Sequence, residues 1–217
     1  MRFGRKSGSP ESEETLPEPG RESSQASSGA GSIGPFDSSE VDLEERDCID
    51  LGSLLVAPVG QMELQLQVDE DSGQVMAVVL VGDEGALELR AFAASRGSGA
   101  WDELRPRISA EMARMGGTAD EKQGSFGTEL LCMVPMQTPD GQPTTQPSRI
   151  VAHEGPAWLL RATLMGRPAV EVDLAGPWEE TIRQVVVNRG REAMPPGAPL
   201  PLRLPPEARR VDAPATE

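Results

Sequence analysis

Apolar and polar residues alternate most cleanly at 62–69, where Met62, Leu64, Leu66 and Val68 interleave with Glu63, Gln65, Gln67 and Asp69. A period of two predicts a half-buried strand with one wet face. DEDSG at 69–73 has the composition of a turn. Val75 to Val81 is almost continuously apolar, which predicts a strand covered on both faces. GDEG at 82–85 is a second turn, and Ala86 to Ala93 alternates again. Three strands joined by tight turns read as an antiparallel meander. Upstream, Ile49 to Val59 predicts one short strand, stopped by Pro58 and Gly60.

After the meander the period changes. Trp101, Leu104, Ile108, Met112 and Met115 fall at steps of three and four, the stripe of an amphipathic helix. Gly116-Gly117 supplies the stop. Pro106 conflicts with this helix, so the regular part is expected to start near Arg105 or to kink there. The stretch 86–117 therefore joins sheet to helix around one core. Beyond it, Thr128 to Met136 reads as a strand, 137–147 as a polar loop, and 148–152 with 157–165 as a hairpin around HEGP. Ala169 to Leu174 reads as a further short strand. Pro177 opens a helical segment carrying Trp178, Ile182 and Val185, as proline does in a first turn. Val185 to Val187 either ends that helix or forms a strand. From Ala193 the chain is proline-rich, and Leu200, Leu202 and Leu204 alternate, so it is expected to run extended and dock. Strands on both sides of a helix, without regular βαβ alternation, give an α+β fold: a single domain with a mainly antiparallel sheet and one or two packed helices.

Composition sets the boundaries. The 217 residues are 37% hydrophobic and include 23 Gly and 20 Pro. Much of the apolar deficit lies in residues 1–45, which are rich in Ser, Gly, Pro and Glu and read as a disordered acidic arm, whose end at 34–45, with Phe36, Val41 and Leu43 among acids, is either a short docking segment on the domain or linker. Residues 46–205 form the domain, and 206–217 a loose tail. The net charge is −15. Of this, the arm carries −6 (4 basic, 10 acidic), the domain −8 (14 and 22) and the tail −1 (2 and 3). An acidic surface repels phosphate backbones and anionic lipid, so neither duplex nucleic acid nor membrane is an expected partner. Arg2, Arg5 and Lys6 read as a solvated N-terminus. No apolar run follows them and none reaches membrane-spanning length, so a cytoplasmic location is expected. Two cysteines, Cys48 and Cys132, lack metal-site spacing and read as free thiols.

Chemistry is sparse. His153 is the single histidine, so no histidine-rich metal site exists and no G-x-S-x-G elbow accompanies it. DEDSGQ fails as a calcium loop, because Gly73 stands fifth and Leu80 twelfth. RGSGAW precedes the helix, but Asp102 and Glu103 follow and oppose an anion. Single carboxylates (Glu63, Glu88, Asp102, Glu129, Asp173) and arginines (Arg90, Arg105, Arg161, Arg183) sit among apolar residues. Glu129 with Arg161 reads as a buried ion pair. Trp101, Trp158 and Trp178 read as core anchors. The candidate pocket or interaction residues are Phe92, Trp101, Glu129, Trp158 and Arg161. No catalytic, cofactor or metal residues are identified.

DLGSLLVAPVG (50–60), LRAFAASRGSGAWDELR (89–105), GSFGTEL (124–130), EGPAWLLRATLMG (154–166) and VVVNRG with MPPGAPLPLRLP (185–205) together resemble the actinobacterial family called domain of unknown function 3710. The likeness extends to GPFD at 34–37 and the FGRK start. Where the family usually has D-G-P-R-W, this chain has Glu154 to Trp158 with Ala157 in place of arginine, and Pro106 also departs from the pattern. The resemblance implies an actinobacterial cytoplasmic protein and carries over no activity or site. Three functions stand side by side. The first is a non-enzymatic module with a protein partner. The second is a small-ligand carrier or sensor with a cavity lined by Phe92, Trp101 and Trp158. The third, least supported, is a hydrolase or transferase using Glu129 and Arg161.

Overall fold

A computed structural model describes residues 34–206 and 208, apart from Pro58, Ser98 and Pro139. The Arg2, Arg5 and Lys6 cluster, most of the expected disordered arm and the tail from Glu207, Ala208 excepted, lie outside the described residues. The chain first lays down three short strands, β1 (Phe36–Asp37), β2 (Ile49–Asp50) and β3 (Leu54–Val56). The meander follows as β4 (Glu63–Val68), β5 (Val75–Gly82) and β6 (Gly85–Ala93). Helix α1 (Ala100–Arg114) leads to β7 (Thr118–Gly124), β8 (Gly127–Gln137), β9 (Pro143–Glu154) and β10 (Trp158–Gly166). A 3-10 turn (Arg167–Ala169), α2 (Val172–Gln184) and β11 (Val186–Val187) complete the elements.

The main sheet has seven antiparallel strands in the order β4-β5-β6-β10-β9-β8-β7. A small sheet, β1-β11-β3-β2, lies apart from it. The α+β single-domain reading stands. Alternation along the strands sends side chains to two separate cores. Val78, Leu80, Leu87, Leu89, Val151, Trp158, Leu160 and Leu164 face α2 and the small sheet, meeting Trp178, Ile182, Leu54 and Val187. Leu130, Cys132, Ile150, Ala152 and Leu159 face the other way and meet Trp101 and Ile108 of α1. Trp101 fixes that helix twice, since its backbone N–H donates to Glu154 Oε1 at 2.8 Å and its Nε1–H to the Thr128 carbonyl at 2.6 Å.

Several boundaries differ from the sequence reading. The expected strand at 49–59 is broken into β2 and β3, because Gly52 turns the chain with φ +88° and the Asp50 side chain accepts its N–H. Helix α1 starts at Ala100, not near Arg105, and runs through Pro106. The proline sits on the exposed side, and the buried Trp101 at the second position outweighs its lost bond. The helix ends as Gly116 N–H bonds to Ala113 O and Gly117 N–H to Met112 O, with Gly116 at φ +77°. Ala169 to Leu174 is not a strand; it holds the end of the 3-10 turn and the start of α2, and Pro177 lies inside that helix. Val186–Val187 is a strand, paired with β1 and β3. The loop at 137–147 shrinks, since β8 and β9 pair as far as Gln137 and Pro143. Residues 34–45, expected in the arm, begin the fold: Phe36–Asp37 pairs in parallel with β11.

The proline-rich segment docks as expected up to Leu202. Ala93 N–H donates to Ala198 O at 2.8 Å and Leu200 N–H to Ala91 O at 2.9 Å, so it continues the sheet beside the far end of β6. Pro199 and Pro201 alternate with the bonded residues, where no donor is missed. Leu200 is buried, whereas Leu204 is 54% exposed and does not dock. Leu200→Ala is expected to cost about 2–5 kcal/mol in denaturant unfolding. An unchanged unfolding midpoint would show that the segment contributes nothing to the core.

Candidate interaction face

Helix α1 lies chiefly over β7, β8 and β9, and its core takes in Leu159 at the start of β10. On the same side of the sheet, β4, β5, β6 and β10 beyond Leu159 send no residue of this face into either hydrophobic core among the described residues. Registers line up the side chains of this open half in rows. One row runs Glu63, Val81, Ala86, Met165. The next runs Gln65, Val79, Glu88, Thr163 and continues to Ile150 under α1. A third places Arg90 directly opposite Arg161, with Ala152 beyond. The last pairs Phe92 with Leu159. Val79, Val81, Glu88, Arg90, Phe92, Arg161, Thr163 and Met165 are all half-buried. The sequence predicted β5 to be covered on both faces. Its Val78 and Leu80 are covered by the α2 side, while Val79 and Val81 look out from the open half.

The charges on this face are unusual. Like charges directly opposite on neighbouring strands destabilise a sheet. Here Arg90 and Arg161 hold that arrangement, and both guanidinium groups stand over the Phe92 ring, at 5.6 and 5.7 Å from its centroid. Each such contact is worth about 0.5–1 kcal/mol at an exposed site. Arg161 also reaches Glu88 at 3.0 Å. Arg90 has no carboxylate of the described residues at ion-pair distance, and the Nε of each arginine is buried without a hydrogen-bond partner.

Of the residues singled out from sequence, the structure unites Phe92 and Arg161 here and sends the rest elsewhere. Trp101 fills the α1 core. Trp158 points to the opposite face, where its Nε1–H donates to Asp37 Oδ2 at 2.7 Å. A cavity lined jointly by Phe92, Trp101 and Trp158 is therefore ruled out by strand parity. Glu129 also faces the α2 side and does not pair with Arg161. It is 3% exposed, accepts the Phe126 N–H at 3.1 Å and lies 3.7 Å from Arg149. Arg149 then reaches Glu179 of α2 at 2.6 Å, which also accepts from Ser125 Oγ at 2.7 Å and Arg183 at 3.0 Å. Burial pushes the Glu179 carboxyl up. Hydrogen bonds from Ser125, Arg149 and Arg183, with the Arg149 charge, outweigh that and hold it below the usual glutamate value. This cluster ties α2 to β8 and β9, and its carboxylates are committed to those partners. His153, beside Trp158 at 5.8 Å between ring centroids, is pushed down by burial, against the pull of Glu40 and Glu154.

Arg149 and Glu179 went unnoticed in the sequence, and Arg90 and Glu88 stood there only as single charges. The parity of LELRAFA holds the signal: with Leu87, Leu89 and Ala91 inward, Glu88, Arg90 and Phe92 must share the other face. A shallow depression of about 280 Å³ lies elsewhere, at Met62, Gly82, Asp83, Asp173 and Trp178.

Residues 34–211 match the model of a family described as protein of unknown function (DUF3710). No curated protein matches the chain. Among solved structures, a protein of Bacteroides thetaiotaomicron VPI-5482 aligns at 13% identity and TM-score 0.38, over 66% of this chain and 48% of that one. The chain thus spans about half the length of that protein. LpqN of Mycobacterium tuberculosis, described as involved in cell envelope biogenesis, aligns at 13% identity and TM-score 0.32, over 71% of this chain and 99% of that one.

Proposed function

For a member of the DUF3710 family of proteins of unknown function, to which this chain belongs, we propose a non-enzymatic role as an interaction module that takes a protein partner on the open half of its seven-stranded sheet. The observation that carries this reading is the outward row of β5. Val79 and Val81 are apolar where a solvent-facing strand alternates to polar residues, and no described element covers them. Phe92 and the two arginines beside them are residue types enriched at interfaces.

The test is co-purification from a lysate of the native host. Tagged wild type, Val79→Glu, Phe92→Ala and Val172→Glu are compared, the last a control on α2 where Val172 is 81% exposed. A protein held by wild type and the control is expected to fall at least about tenfold with the two face variants. Equal recovery by all four, or no recovery by wild type, would overturn the reading.

A further inference from the structure

Resting on that reading, we propose that the open face recognises its partner through one carboxylate side chain, held between Arg90 and Arg161 and flanked by apolar residues that cover Phe92, Val79 and Val81. The two arginines are direct cross-strand neighbours. Residues so paired stand about 4.5–5.5 Å apart at Cα, so one planar carboxylate spans both guanidinium forks. The like-charge opposition is then relieved by the ligand that the face lacks on its own. The Nε of each arginine is left without a hydrogen-bond partner by the described residues, so neither guanidinium is saturated by its own chain.

Charge sets the number of carboxylates at one. At the arginine pair, Arg90, Arg161 and Glu88 sum to +1, which a single carboxylate neutralises, and Glu63 two rows along the open face disfavours a second. A phosphoryl group carries about −1.5 to −2 at neutral pH. It would overshoot that charge and meet Glu88, which already sits 3.0 Å from Arg161. The chain as a whole carries −15, so a run of acids on the partner would be repelled before it reached the face. The partner segment is therefore apolar with one embedded Glu or Asp. Val79 in the adjoining row and Phe92 in the next give its apolar residues their seats.

The arginine Nε–H signals report the site directly by nuclear magnetic resonance in the full, unmodified chain. Capped pentapeptides Val-Leu-Glu-Leu-Val, its glutamine counterpart and its phosphoserine counterpart are titrated in turn. The glutamate peptide is expected to shift the Nε–H signals of Arg90 and Arg161. Arg90→Gln, checked for an otherwise unchanged spectrum, is expected to weaken it about tenfold. If the glutamine peptide moves the same signals at the same concentration, the face binds but the carboxylate assignment falls. Tighter binding of the phosphoserine peptide overturns it too. If no peptide perturbs any signal on β5, β6 or β10, both this assignment and the interaction face fall.

Discussion

Replacing Arg149 with alanine is expected to destabilise the domain by about 3–5 kcal/mol, the cost of stripping buried charges of their partner. Arg149 stands between two carboxylates, Glu179 at 2.6 Å and Glu129 at 3.7 Å, with Glu129 only 3% exposed. Without the guanidinium, Glu129 keeps the Phe126 N–H and Glu179 keeps Ser125 and Arg183. Neither set replaces the shared cation. For a domain of this size the loss corresponds to a fall in melting temperature on the order of 10 °C. Glu129→Gln together with Glu179→Gln, introduced into the alanine variant, should restore part of it, because neutral amides need no counter-charge. If Arg149→Ala shifts the denaturant midpoint no more than a surface substitution does, the cluster is not a structural tie.

The same variant has a pH signature. In the wild type the Glu179 carboxyl lies below its ordinary value of 4.5. A depressed folded pKa means its contribution is fully present above 4.5 and is lost as the pH falls through the folded value. Removing Arg149 takes away a hydrogen bond and a favourable charge while burial remains, so the carboxyl moves upward. Protonation then relieves the variant as the pH falls. The stability gap between wild type and Arg149→Ala is expected to be widest near neutrality and to narrow below 4.5. A gap of constant size across that window would mean that lost packing, not unpaired charge, is the cause.

The tie to Glu179 illustrates what the sequence conceals. Strand β10 reads WLLRATLMG, with Trp158, Leu159 and Leu160 all buried. A sheet covered on both faces gives no parity signal over such a run. Pairing Glu129 with Arg161 was therefore open from sequence, and only the register through β9 puts them on opposite sides. The alternation of β4 and β6 was legible because one of their faces is wet. Strand β7, TADEKQG, left no trace, since it is an edge strand with nearly every side chain in solvent, held mainly by backbone bonds to β8, with Ala119 under α1 and Glu121 paired to Arg105 at 3.1 Å. Lys122 in its middle is the kind of charge that keeps a free edge from pairing further. The N-terminal limit stayed open, with 34–45 either a docking segment or linker, for a related reason. Two residues of β1 cannot show a period, and their hold on the domain comes from pairing with β11 and from one indole, both far along the chain.

That indole yields the second large effect. Trp158→Ala is expected to cost about 3–5 kcal/mol, since a side chain 1% exposed leaves a hole in the main core. Trp158→Phe separates the two roles. It keeps most of the packing but loses the N–H that meets Asp37 at 2.7 Å. Burial pushes the Asp37 carboxyl up; hydrogen bonds from Ser39 and from Trp158 prevail and hold it below its usual value. Losing a bond to a charged group costs about 1.5–3 kcal/mol. The loss should be local, loosening β1 from β11. Amide exchange reads this directly, because Phe36 N–H bonds to Val185 O at 2.9 Å and Ser38 N–H to Val187 O at 3.0 Å. Both amides are expected to exchange faster in Trp158→Phe while those of β9 and β10 hold. Gly155→Ala reaches the same indole from outside, since a Cβ there would collide with its ring. If Phe36 and Ser38 stay protected in Trp158→Phe, backbone pairing alone secures β1, and the Asp37 contact is incidental.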